Sequence, residues 1–417
     1  MIISKYSPIA PWQRIISIDV LRGFAVLGIL IMNIQCFSMI FSAYDNPTVY
    51  GDLTGINKWV WMLSHIIADQ KFMSIFSILF GAGIILMTDN LEKKGLHSTG
   101  LHYRRMMWLL IFGLLHAYLL WFGDILVSYA LVGMIAYLFR KKTPKTLLIV
   151  GISLIVVPFL LSLFFNWSMS YWPEESIRDT LEKWQPDKEI IEHNILIYRG
   201  SWTDQMENRI PIALMIQTLV FFMYSLWRVC GLMLIGMALY KLKVLSASRS
   251  SKFYLWFLII GFLVGYFLVI TGMIKNFSAG WTMEYSMFGG KLFNYWGSIF
   301  VSFGYIGLVM LFCKSNLFSG FKKLLAAVGR MAFTNYILQT LICTTIFYGH
   351  GFGFYGKVER GGQILIVFGV WIFSVLLSYY WLKYFRYGPL EWLWRSLSYM
   401  KFQPIKLDRN KLNQVIG

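Results

Sequence analysis

Asp19, Arg22, Asp69, Lys71, Arg228 and Arg330 stand within or at the ends of long apolar runs, and their presence there needs a reason. An ionisable side chain at the centre of a membrane helix costs about 2.5–3.5 kcal/mol on insertion scales unless it faces a polar interior. Asp19 and Arg22 are three apart and pair on one helical face, and Asn33, eleven residues beyond Arg22, continues that face three turns on. His65 and Asp69 are one turn apart. Gln217 and Arg228 share a face by the same eleven-residue spacing, and Asn335 and Gln339 stack at i and i+4 above Arg330. Arg105, Trp108, Phe112 and His116 form one stripe, with Asp124 shortly after it. A histidine beside a carboxylate is the pattern of a general base and the group that orients it. Several arginines at one end of a shared space are the pattern of an anion site. Hydrogen-bonded glue between helices accounts for each pair taken singly. Together, five helices each turning a polar face inward predict a hydrated cavity.

The elements that must hold these residues follow from composition. Of 417 residues, 57% are hydrophobic, 18% aromatic and only 14% charged, about half the charged share of a soluble domain. The solvent is therefore lipid. Apolar blocks recur at Ile15 to Ile40, Lys58 to Met87, Arg105 to Trp121, Ile125 to Phe139, Thr146 to Phe165, Ile210 to Tyr240, Phe253 to Ile274, Leu292 to Phe312, Leu324 to Tyr348 and Gln363 to Tyr384. A helical span takes roughly 20 residues, and the blocks lack the alternation of a barrel strand. The expected fold is an all-α polytopic bundle of about ten spans, one integral membrane domain over 1–417. It divides into a first helix set (15–165), an outer loop (166–209), a second helix set (210–385) and an interfacial tail (386–417).

The net charge of +18 invites a nucleic-acid reading that the positions of the charges exclude. Basic residues gather in alternate loops: Lys93, Lys94, Arg104 and Arg105; Arg140, Lys141, Lys142 and Lys145; Lys241, Lys243, Arg249 and Lys252; Lys314, Lys322 and Lys323; and the tail with Lys383, Arg386, Arg395, Lys401, Lys406, Arg409 and Lys411. The loops between them are acid-rich, most of all after the fifth block. The positive-inside rule then puts both termini in the cytoplasm. The first block is too long, and too polar at Asp19, Arg22 and Asn33, to be the core of a cleavable signal. Cys36, Cys230, Cys313 and Cys343 lie in or beside spans without metal-ligand spacing, so neither a disulfide framework nor a metal site is expected.

The outer loop mixes Trp167, Trp172, Trp184 and Trp202 with alternating charges and predicts short amphipathic helices, as a lid or as a spacer anchored at the headgroups. The third and fourth spans meet in a tight hairpin at Gly123-Asp124. The run Tyr387 to Tyr399 reads as an interfacial helix. Proline is scarce in the spans and no Gly/Pro pair marks a broken helix, which speaks against alternating access.

Five motifs, RIISIDVLRGFAVLGILIMNI, FSILFGAG, GLLHAYLLWFGDILVSYALVG, GRMAFTNYILQ and YGPLEWLWR, span nearly the whole chain. They resemble the YeiB-like bacterial membrane proteins, the domain of unknown function 418. That family is similar, distantly, to transmembrane acyltransferases, which carry an acyl group from cytoplasmic acyl-CoA to a sugar across the membrane. The resemblance implies a bacterial plasma-membrane location. Its signatures are Asp19, Arg22 and Gly23 of the first span and Ala68-Asp69 of the second, which adds Asp69 to the catalytic candidates. The catalytic histidine of acyltransferase-three proteins falls on Asn33 here, and that of the heparan-modifying type on Trp59. The base would therefore be His116, oriented by Asp124, or else His65.

Two functions follow. In a membrane acyltransferase, Asp19, Arg22, Arg105, Arg228 and Arg330 would bind acyl-CoA as co-substrate, with no permanently bound cofactor. His116 would activate a glycan or lipid acceptor, and Asn33, Asn335 or Gln339 would hold the oxyanion. In a transporter or flippase for a small anionic or lipid-linked solute, the same cavity would work without chemistry. A structural or accessory role is a third reading, which leaves the buried charges without a purpose.

Overall fold

The computed structural model describes residues 14–407, so Arg409 and Lys411 of the basic tail lie outside the described residues. Each of the ten apolar blocks falls on helix, and among the described residues extended pairing is limited to one isolated bridge between Phe385 and Lys406. In chain order the helices are α1 (Ile16–Ser38), α2 (Gly55–Ile67), α3 (Lys71–Glu92), α4 (Thr99–Leu115, continued by a π turn at His116–Leu120), α5 (Leu126–Ala136) and α6 (Pro144–Ser168). The outer loop forms α7 (Glu174–Trp184) and α8 (Lys188–Arg199). Then come α9 (Met206–Lys241), α10 (Ser251–Ser278), α11 (Met283–Lys314), α12 (Ser319–Arg330), α13 (Ala332–Phe347), α14 (Arg360–Tyr384) and α15 (Pro389–Tyr399).

Seven helical segments among the described residues are long and apolar enough to cross a bilayer, and two shorter apolar helices, Leu126–Phe139 and Ala332–Phe347, accompany them. Burial separates an inner from an outer layer. Of its apolar stretch, α1 buries 78% inside the protein, whereas Pro144–Tyr171 and Arg360–Tyr384 each bury 22% and α10 buries 28%. Leu263, Phe267, Leu365 and Ile372 are exposed on those outer helices. An apolar shell of that extent is stable only against hydrocarbon. The protein is a multi-pass membrane bundle with α1 at its centre.

Lipid supplies no hydrophobic drive between helices, so close backbone approach must do that work. Where α1 crosses α12, Gly23 faces the Leu325 carbonyl and Gly329 faces the Asp19 carbonyl, each so near that a Cβ would overlap the oxygen. Gly81 of α3 and Gly236 of α9 make a matching crossing against the Met233 and Ile78 carbonyls. The glycine of the Asp-x-x-Arg-Gly motif is thus a packing residue.

Two segments are broken, against the expectation drawn from scarce Gly/Pro pairs. The second segment stops at Ile67 and restarts at Lys71, with Gln70 in the left-handed region at φ 63°. Side chains hold the carbonyls freed there, Tyr305 donating to that of Ile67 at 2.9 Å and Lys71 Nζ to that of His65 at 2.8 Å, while Tyr224 fixes the Gln70 side chain by donating to its Oε1 at 2.8 Å. The second break, between α12 and α13, is capped from the tail. Glu391 accepts from the N–H groups of Phe333 and Thr334 at 2.8 and 3.1 Å and from the Thr334 hydroxyl at 2.6 Å. Burial raises the Glu391 carboxyl above its ordinary range, and those hydrogen bonds pull the other way.

The eleven-residue face linking Gln217 to Arg228 does not survive. Residues Ile216–Ser225 are π-helical, and the extra residue per turn rotates one end of α9 against the other. Gln217 meets Tyr118 at 3.1 Å while Arg228 turns into the core. The outer loop is docked: Trp184 Nε1 donates to the Trp281 carbonyl at 2.8 Å, Arg199 Nε to that of Tyr355 at 2.8 Å, and the Tyr198 carbonyl receives the Gly349 N–H at 2.9 Å.

Adding the same methyl group in two places separates these roles. Gly329→Ala forces α1 and α12 apart and should cost about 1–3 kcal/mol, read as a lower thermal midpoint in detergent. Gly369→Ala, on α14 with nothing within 4 Å of its Cβ position, should leave the midpoint unchanged or slightly raised.

Candidate functional site

The polar groups singled out in the sequence do not share one chamber. They sort into three places.

The first is a cavity of about 300 Å³ between α1, α3, α4, α5, the α12–α13 break and α15. Its mouth is basic, with Arg14, Arg22, Arg105, Arg330 and Arg395 among its lining residues. A smaller pocket of about 150 Å³ that also touches Arg22, Arg105 and Arg395 adds Lys94. The carboxylates of the lining are Asp19 and Glu391, and Glu391 is committed to capping α13. Asp19 bonds Arg22 at 2.9 Å and lies 3.8 Å from Arg14, leaving the mouth with an excess of positive charge. Burial pulls Arg14 down to about 10, still far above physiological pH, so it stays charged. Local packing aims these groups. Arg105 lies over the Trp394 ring at 4.3 Å while Trp394 Nε1 donates to the Arg105 carbonyl at 2.9 Å. Arg395 lies over Tyr387 at 4.8 Å. Deeper in, the walls are apolar: Ile29, Phe76, Leu79, Phe80, Leu109 and Leu126, closing on Tyr129, Ile125 and Tyr336. Charge at the mouth and hydrocarbon in the depth fit an anionic amphiphile.

The second place is a packed polar core at the α2–α3 break. Asp69 accepts from Tyr44 at 3.0 Å and Asn294 at 2.7 Å, with His65 Nδ1 at 3.2 Å. Lys71, fully buried, donates to Asn294 Oδ1 at 2.7 Å. Arg228, equally buried, donates to the Tyr295 carbonyl at 3.0 Å and to Ser298 and Ser74 at 2.8 and 3.2 Å. These charges brace the break, and none of them lines the cavity.

The third place is the hairpin. His116 Nδ1 stands 2.7 Å from Asp124 Oδ2 and its Nε2 stands 2.9 Å from Thr340 Oγ1, all three residues being at most 5% exposed. Asp124 also accepts the Val127 N–H at 2.8 Å, at the start of α5. The His116 ring lies 5.1 Å from the ring of Tyr336, which closes the cavity.

Of the sequence-chosen residues, then, Asp19, Arg22, Arg105 and Arg330 meet at the cavity. His116 and Asp124 form their own pair behind its end. Asn335 and Gln339 act as struts, donating to Ser378 and the Val328 carbonyl and to the Val26 carbonyl. Asn33 is half-buried and is not among the lining residues. Sequence reasoning missed Arg14, His102, Tyr129, Tyr336 and Trp394 as lining residues. His102 was legible, since His102, Arg105, Met106 and Leu109 fall on one face of α4.

Residues 239–401 match the profile of the family described as "Protein of unknown function (DUF418)". The chain is 32% identical to "Uncharacterized protein YxaH" of Bacillus subtilis (strain 168), over 96% of this chain and 98% of the relative. It is 33% identical to "Uncharacterized protein YeiB" of Escherichia coli (strain K12), over 93% and 96%. A third relative, "Uncharacterized 39.9 kDa protein in amylase 3'region" of Bacillus acidopullulyticus, is 25% identical over 96% and 99%. No solved structure gives a significant match.

The hairpin pair yields a double-mutant test. His116→Ala leaves the buried Asp124 carboxylate without its partner and should cost about 3–5 kcal/mol. Removing Asp124 as well should recover part of that loss, measured as thermal midpoints of the two variants in one detergent.

Proposed function

This chain belongs to the DUF418 family of YeiB-like membrane proteins, and from that premise we propose that it is a membrane acyltransferase drawing on cytoplasmic acyl-CoA. The reading rests on one observation: the cavity that carries five arginines at its mouth ends a single aromatic ring short of the His116–Asp124 pair. Arg22, Arg105 and Arg330 would hold the CoA phosphates, with Arg14 and Arg395 beside them. The pantetheine arm and acyl group would run along the apolar wall toward Tyr336. That arm must bridge the distance between Arg105 and His116, about 16 Å at the rise of a helix. His116, its Nδ1 facing Asp124, would take the acceptor's proton. The acceptor, a glycan or lipid, would arrive from the end that carries the outer loop. In the bacterial plasma membrane, the excess of lysine and arginine in the loops at the cavity's mouth would place that mouth, and both termini, on the cytoplasmic side.

Transport of a small anionic or lipid-linked solute keeps one observation in its favour. The breaks at Ala68–Gln70 and at Arg330–Met331 are the kind of discontinuity on which alternating-access proteins turn.

Binding decides first. Acetyl-, octanoyl- and palmitoyl-CoA, with free CoA as reference, are titrated into detergent-purified protein by thermal shift. At least one acyl-CoA should stabilise it, and Arg22→Ala or Arg105→Ala should weaken that binding about tenfold or more, the worth of one charged hydrogen bond. If no acyl-CoA shifts the wild-type midpoint, acyl transfer is rejected, and solute uptake into proteoliposomes becomes the measurement.

A further inference from the structure

The acyl-transfer reading gives His116 a proton to take and no nucleophile on the protein. Thr340 of α13 stands where one would be. The Asp124 carboxylate has only acceptors to offer, so a neutral imidazole beside it carries its proton on Nδ1 and presents Nε2 as an acceptor. In that tautomer the hydrogen between Nε2 and Oγ1, at 2.9 Å, is the threonine's own. A hydroxyl that donates to an imidazole held from behind by a buried carboxylate has the polarity of an activated nucleophile.

Two further observations lift this above a buried histidine with its hydrogen bonds filled. A mid-helix threonine ordinarily returns its hydroxyl to the carbonyl four residues back. Thr180, Thr218 and Thr345 do so at 2.7, 2.6 and 2.7 Å, whereas Thr340 stands 3.5 Å from the Tyr336 carbonyl, having turned to His116. Trp121, stacked on Phe37 and 6.3 Å ring to ring from His116, has a buried indole N–H without a partner among the described residues. An unpaired buried donor is costly, and one this near the His116 ring is a candidate partner for a developing oxyanion. The partition between this group and the cavity is Tyr336, one turn from Thr340. Among the described residues, its hydroxyl is held by 3.3 Å contacts with the Gly123 carbonyl and the Ile125 N–H.

Building on the acyltransferase reading, we propose that Asp124, His116 and Thr340 form a catalytic triad in which Thr340 carries the acyl group as a covalent oxygen ester. Thr340 Oγ1 attacks the thioester carbonyl as its proton passes to His116 Nε2. The carbon–sulfur bond breaks, and the leaving sulfur takes that proton as free CoA. The acceptor hydroxyl or amine then attacks the ester carbonyl, gives its proton to His116, and His116 returns it to Oγ1 as the threonine leaves.

The full-length protein in detergent is incubated with acyl-labelled acetyl-, octanoyl- or palmitoyl-CoA and no acceptor, denatured, and mapped by peptide mass spectrometry, with thermal shift by the same three acyl-CoAs run on the same samples. The expected result is one label on Thr340, stable to neutral hydroxylamine, which would release a thioester from Cys36 or Cys343. Thr340→Ser should keep the label, Thr340→Ala should lose it while acyl-CoA still shifts its midpoint, and Asp124→Asn should slow labelling about a hundredfold or more. Acyl-CoA stabilisation with label on cysteine, or with none, overturns the Thr340 intermediate and leaves direct transfer standing. The absence of both label and stabilisation overturns the acyltransferase reading itself.

Discussion

A helix interrupted inside a membrane must find partners for its freed N–H and C=O groups within the protein, because lipid offers none. This fold interrupts two, and most of its unusual side chains are there to meet that demand. Tyr305, Lys71 and Tyr224 serve the break after Ile67, and Asn294 ties Lys71 to Asp69 across it. Glu391 caps the second break from a helix some sixty positions away. The GRMAFTN and YGPLEW motifs are two sides of that one contact, and the break it stabilises places Arg330 at the cavity mouth.

The same economy explains where charge is found. Charges committed to structure, Asp69, Lys71 and Arg228, are packed without a cavity and have short hydrogen bonds to neighbouring helices. Charges not committed in that way, Arg22, Arg105 and Arg395, line open space and lean on aromatic rings or on a single carboxylate. An arginine resting on a ring keeps its donors free. That difference in commitment separates a site from a brace more cleanly than the mere presence of charge in a span. The groups standing between the cavity and His116 are few and loosely bonded, whereas the glycine crossings of α1 with α12 and of α3 with α9 leave no room to shift.

The sequence by itself determined the solvent, the helices and the membrane-spanning class, because a 57% apolar composition in long blocks permits no other fold. It determined the Asp19–Arg22 pair and the His116–Asp124 pair, since both are close along the chain and their geometry follows from helix pitch and a tight hairpin. Tertiary structure alone decided which polar residues meet. Gln217 and Arg228 parted because a π-helical stretch changed the register, and Asn335 and Gln339 became struts because carbonyls of other helices lay beside them. Arg14, Arg395 and Thr340 gained their places only when helices distant in sequence were packed together, 224 positions separating His116 from Thr340. Local periodicity fixes which face of a helix a residue takes, and the packing of one helix on another fixes what that face touches.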